Sequence, residues 1–88
     1  PAEVVQTKLG LYEGYLWQGH YEKMEPLAVA LVDEAHSVPG VVQEKFVTDS
    51  MRLVIQMYEG WGKPEKAAPY RNRLQTRGSG PARPSSAP

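Results

Sequence analysis

The sequence predicts an all-α chain of four helices, arranged as two antiparallel hairpins of a repeat array. Three observations predict it. Apolar side chains recur at helical spacing along four separate stretches. Glycine or proline breaks the chain between them. The second half also repeats the first at a fixed offset of 43 residues: Gly19 with Gly62, Tyr15 with Tyr58, Glu22-Lys23 with Glu65-Lys66, Pro26 with Pro69, Leu31 with Leu74. A period of roughly 20–50 residues marks units that cannot bury their apolar faces alone and must stack on a neighbour.

The first helix is expected over residues 4–18, from Val5, Leu9, Tyr12 and Leu16. Gly19-His20 ends it. Tyr21, Met24, Leu27, Ala28, Leu31, Val32 and Ala35 form an apolar stripe for a second helix over about 21–36. So short a link folds the two back on each other. Val38-Pro39-Gly40 stops the second helix and turns the chain. Val42, Phe46, Leu53, Val54, Met57, Tyr58 and Trp61 mark a third helix over about 41–60, with Thr48, Asp49 and Ser50 on its other side. Gly60-Trp61-Gly62 ends it at the same register as Gly19. Pro64 suits the first turn of a fourth helix, where its missing N–H costs nothing. Ala67, Ala68, Tyr70, Arg71 and Leu74 carry that helix to about residue 76. Pro26 and Pro69 fall at one register of the second and fourth helices, so both are expected to tolerate the same local bend. Domain 1–76 thus divides into hairpins 4–36 and 41–76. Residues 77–88 hold no apolar side chain larger than alanine and are expected to be a disordered tail.

With 88 residues the chain makes one small domain. It has no cysteine, which excludes disulfides and thiolate metal sites and is compatible with a reducing compartment, the cytoplasm. No apolar run reaches the roughly 18 residues that a membrane span needs. The net charge of zero hides an asymmetry. Residues 1–62 carry four basic and nine acidic side chains, net −5, whereas residues 63–88 carry six basic and one acidic, net +5. A basic end can attract nucleic acid, but no aromatic residues interleave these arginines for stacking. Cations at the end of a last helix suit its dipole, so a nucleic-acid contact is the weaker reading.

Two strings carry a family resemblance. The first is Tyr15-Leu16-Trp17-Gln18-Gly19-His20-Tyr21-Glu22-Lys23-Met24-Glu25-Pro26-Leu27. The second is Tyr58-Glu59-Gly60-Trp61-Gly62-Lys63-Pro64-Glu65-Lys66-Ala67-Ala68-Pro69-Tyr70. Together they resemble tetratricopeptide repeats, and the long period is similar to the variety found in kinesin light chains and many bacterial proteins. The second string also resembles the last repeat of large bacterial multidomain proteins, including some serine/threonine protein kinases. Tyr12 and Ile55 stand where the family prefers a small residue, and Met24 where it prefers alanine; Ala67 matches.

The resemblance implies an α-solenoid of right-handed stacked hairpins whose first helices line a concave groove. Carried over by position, the groove residues are Gln6, Glu13 and Trp17 in the first copy and Asp49, Arg52, Gln56 and Glu59 in the second, with Leu9 at the edge. Trp17 and Arg52 are residue types that dominate interface energetics. Trp17 packed near the hairpin turn is the equal alternative.

No catalytic, metal or cofactor site is expected. His20 and His36 are the only histidines, and Asp33 and Glu34 fall on faces neighbouring His36. Ser37, Thr48 and Ser50 have no base beside them in the pattern. Gly10 and Gly14 lie within a helix and follow no strand, so they form no phosphate loop. Glu22 and Glu25 read as the solvated edge of the second helix, near its positive dipole end.

The expected function is a protein-interaction scaffold, the terminal repeats of a larger protein, binding a peptide or protein partner in the groove. The alternatives are a structural cap, suggested by polar Asn72, Gln75 and Thr76 on the last helix, or a nucleic-acid contact through residues 63–88. About three repeats usually close a core. Pro1 is therefore not expected to be a natural start, and the first helix, around Val5 and Leu9, is expected to dock on upstream repeats of the same chain. A catalytic domain such as a protein kinase would then lie ahead of them.

Overall fold

Both hairpins turn on a glycine that adopts left-handed torsions. The computed structural model describes residues 2–79. It has four helices and, among these residues, no strand: α1 (Ala2–Gln18), α2 (Tyr21–His36), α3 (Gln43–Gly60) and α4 (Pro64–Ser79). After α1, Gly19 sits at φ 76; after α3, Gly62 sits at φ 81. The hydrogen bonds repeat with the sequence. Gly19 N–H donates to Leu16 and His20 N–H to Tyr15, at 3.1 and 3.0 Å. Gly62 N–H donates to Glu59 and Lys63 N–H to Tyr58, at 3.2 and 2.8 Å. This paired closure satisfies the last carbonyls of a helix, and its left-handed position suits a residue without Cβ.

Gly40, at φ 85, makes the turn between the hairpins. The Gln43 amide there donates to the carbonyls of His36 and Val38, at 2.7 and 3.0 Å. It covers acceptors that the end of α2 leaves open.

α3 is the central helix: it packs on α2, α4 and α1, and α1 also packs on α2. The core between them holds Met24, Leu31, Val38, Val47, Met51, Val54 and Met57, all fully buried. Burial of such side chains contributes roughly 1.5–3 kcal/mol each. α2 and α4 continue through Pro26 and Pro69.

Five expectations are corrected. Ser50 is buried, not on the polar side of α3; it is small, and its hydroxyl donates to the Val47 carbonyl at 3.0 Å, so its one donor is satisfied within its own helix. α3 begins at Gln43, which leaves Val42 exposed rather than in the core stripe. Val5 is buried within this chain, so it is not free to dock on a preceding hairpin. Glu25 is not a solvated edge residue, because it accepts a hydrogen bond from Tyr58 on α3. α4 runs to Ser79, past the expected end at 76. The rest of the expected tail, residues 80–88, lies outside the described residues.

Tyrosine 58 and its neighbours form the seam between the hairpins. Tyr21 of α2 stacks on Trp61 at 5.8 Å, Trp61 stacks on Tyr58 at 6.4 Å, and Tyr58 meets Tyr70 of α4 at 6.3 Å. Such aromatic pairs add roughly 0.5–1.5 kcal/mol beyond their buried area. Gly60 permits the approach: a Cβ there would stand 2.8 Å from the Tyr21 hydroxyl. One further contact repeats at the period. Lys23 lies 4.9 Å over the Tyr15 ring, and Lys66 lies 5.9 Å over the Tyr58 ring.

Candidate functional site

Because α1 and α3 are the first helices of their hairpins and pack on each other, they share one open side. There they enclose a hollow of about 470 Å³. The α1 wall carries Gln6, Leu9 and Glu13, which recur at helical spacing. The α3 wall carries Lys45, Asp49, Arg52 and Gln56, again on one helical stripe, and Phe46 and Leu53 add apolar surface. Val42, just ahead of α3, also lines it.

The structure brings together Gln6, Glu13, Asp49, Arg52 and Gln56, with Leu9 in the same lining. It does not bring in the other two expected groove residues. Trp17 is 85% exposed and lies one helical turn beyond Glu13, past the end of the hollow. It does not pack at the hairpin turn either. Glu59 is drawn away by Arg71 of α4, with which it forms an ion pair. Val42, Lys45, Phe46 and Leu53 were not among the expected lining. Lys45 could have been found: it stands four residues before Asp49 and continues the stripe of Asp49, Arg52 and Gln56. Phe46 and Leu53 carry the ordinary signature of core positions.

The hollow is amphipathic and mixed in charge. Lys45 pairs with Asp49 at 3.0 Å across one turn of α3. Among the described residues, Arg52 and Glu13 form no ion pair. Gln6 and Gln56 each offer an amide donor and an acceptor. Phe46, Leu53, Leu9 and Val42 supply apolar contact between these polar groups. The lining holds no histidine, serine, threonine or cysteine.

Elsewhere, both histidines are exposed. His36 bonds through Nδ1 to the Val32 carbonyl at 2.9 Å, and His20 stands at the start of α2. Among the described residues no group of three or more His, Asp or Glu could hold a metal ion. None of their helices is long and apolar enough to cross a membrane. Lys8 bridges α1 to Glu34 of α2 at 2.9 Å, and that hydrogen bond holds its ammonium above the usual lysine range. Comparison with protein-family models, with curated proteins and with solved structures finds no match to this chain.

Proposed function

We propose that this chain is a protein-interaction scaffold of the tetratricopeptide type. Its hairpins form part of an α-solenoid, and a peptide or protein partner binds in the hollow between α1 and α3. One observation carries this reading. Five of the seven residues that the tetratricopeptide resemblance implies for the groove, Gln6, Glu13, Asp49, Arg52 and Gln56, line one hollow, with an unpaired arginine, an unpaired carboxylate and two primary amides around apolar patches.

The test is selection of binders from a random peptide library on the immobilised chain. Peptides that bind should lose roughly tenfold or more in affinity with Arg52→Ala and Gln56→Ala, since central polar anchors often cost more than 1 kcal/mol when truncated. They should tolerate Asn72→Ala and Arg73→Ala on α4. Binders indifferent to the hollow and sensitive to α4 would reverse the assignment.

A second reading has its own observation. Arg71, Asn72, Arg73, Gln75 and Thr76 are exposed on α4. A terminal repeat must show such a face to water. The chain would then close an array, and its hairpins would serve as a structural cap for upstream repeats. The cytoplasm is the proposed setting, supported by the absence of cysteine.

A further inference from the structure

Four aromatic rings of this chain carry one of its own cations. Lys23 lies over Tyr15, Lys63 over Trp61 at 4.2 Å, Lys66 over Tyr58 and Arg73 over Tyr70 at 4.8 Å. Tyr12 and Tyr21 stack on other rings, and Phe46 is buried. Trp17 stands apart. It is 85% exposed, and among the described residues it has neither a cation nor another ring against it, although indole is the best aromatic face for a cation. Glu13, four residues earlier, is exposed and in no ion pair among the described residues. Positions four apart on a helix are neighbours, with Cβ atoms about 5–6 Å apart. The Cα–Cβ bond of Trp17 tilts toward the turn that carries Glu13. Gly10 stands three residues before Glu13, and Gly14 three before Trp17; a Cβ at either would meet nothing within 4 Å. Bare helix backbone thus borders the pair on one side, and the hollow that Glu13 lines borders it on the other.

We propose that Glu13 and Trp17 together bind an arginine side chain of the partner. The inference rests on the reading of the hollow as a partner site, and gives that partner a basic residue at one end. A guanidinium lays its flat face on the indole and turns its N–H edge to the carboxylate, where two parallel hydrogen bonds form. An ammonium meets the carboxylate as a point charge and has no plane to stack. The charge of this half of the chain agrees: residues 1–62 carry net −5. Among the described side chains, the cation does not come from within. The four named above lie on other rings, and Lys8, Lys45 and Arg71 are in ion pairs. Arg52 stands at the repeat register of Leu9, one turn before Glu13, so the partner's arginine enters from the Trp17 end.

The two indole N–H resonances provide the measurement. The probe is acetyl-arginine amide, compared with acetyl-lysine amide and the uncharged isostere acetyl-citrulline amide, each added to the intact chain at one ionic strength. The Trp17 signal, assigned by its loss in Trp17→Phe, should shift roughly threefold or more further with the arginine probe than with either analogue. Trp61 should stay still, because Tyr21, Tyr58 and Lys63 already stand against its ring. Glu13→Gln should cut the Trp17 response about threefold or more, and Asn72→Ala on α4 should not. Equal shifts with citrulline or lysine, an equal response of Trp61, or a Glu13→Gln variant that responds like the native chain would overturn the proposal. A Trp17 signal that moves when the chain alone is diluted would overturn it too, assigning the ring to a second copy. The hollow is decided separately. Library peptides that lose affinity with Arg52→Ala, on a chain whose Trp17 ignores the arginine probe, refute this pair and leave the hollow standing; the reverse pattern refutes the hollow alone.

Discussion

The Tyr58 hydroxyl donates a 2.9 Å hydrogen bond to the Glu25 carboxylate, tying α3 of the second hairpin to α2 of the first. Lys66 of α4 reaches the same carboxylate at 3.7 Å. One acidic side chain thus joins three helices at the seam, beside the aromatic stack. Removing the donor leaves a part-buried carboxylate with one long ion pair. Tyr58→Phe should therefore destabilise the chain by about 1–2 kcal/mol, read by urea denaturation. Lys66→Ala should cost less, about 0–1 kcal/mol, since the ammonium is half exposed. Equal and negligible costs would mean that the seam is held by ring packing alone.

The same bond makes stability depend on alkaline pH. Burial first, and then the Glu25 carboxylate, push the Tyr58 phenol up from 10.0 to about 12. A raised folded-state value means that the native chain keeps a proton the unfolded chain has released. The contribution is complete below pH 10 and is lost as pH rises toward about 12. Denaturation midpoints measured across that window should fall more steeply for the native sequence than for Tyr58→Phe. Parallel curves would contradict the burial of this hydroxyl.

The glycines divide into two kinds, and alanine separates them. Gly19 and Gly62 occupy left-handed torsions, where a Cβ is strained; Gly19→Ala and Gly62→Ala should each cost roughly 1 kcal/mol. Gly10 lies inside α1 with nothing near its missing Cβ, so Gly10→Ala should stabilise by up to about 1 kcal/mol. Thermal melts of the three variants check the opposite signs. A destabilised Gly10→Ala would show that this helix face is already occupied in solution.

Gly60 tests the aromatic seam. Gly60→Ala puts a methyl against the Tyr21 hydroxyl and ring edge, so Tyr21 must leave its stack on Trp61. In a Trp17→Phe background, where Trp61 is the sole tryptophan, its near-ultraviolet signal should change while helix content stays constant. An unchanged signal would place Tyr21 elsewhere.

The ends of α1 and α3 were legible because Gly19 and Gly62 do local work: each donates to the carbonyl three residues back, the next residue donates to the one five back from itself, and tertiary context is not required. Gln6 and Glu13, or Asp49, Arg52 and Gln56, were legible through the tetratricopeptide resemblance, and helical spacing agrees with it by putting each set on one stripe. Trp17 shares that spacing, but spacing does not say where along its axis α1 diverges from α3. Glu59 was misplaced for another reason: its partner Arg71 comes from α4, and the competition between groove and ion pair is set by tertiary packing. Ser50 misled because a polar label stood for an outward face, although a hydroxyl that bonds its own helix can be buried at little cost. The open face of α1 was sought at Val5 and Leu9, and is instead at Val4 and Leu11. One residue turns a helix position by about 100° and two by about 200°, so Val4 and Leu11 stand on a different side of α1 from Val5 and Leu9.

The account rests most heavily on the hollow between α1 and α3 as the partner site. The direct measurement is an amide chemical-shift map of the intact chain titrated with a peptide selected for binding to it. The account predicts that the largest shifts fall on Gln6, Leu9, Glu13, Asp49, Arg52 and Gln56, and that α4 stays still. Shifts confined to Arg71, Arg73 and the rest of α4 would contradict it.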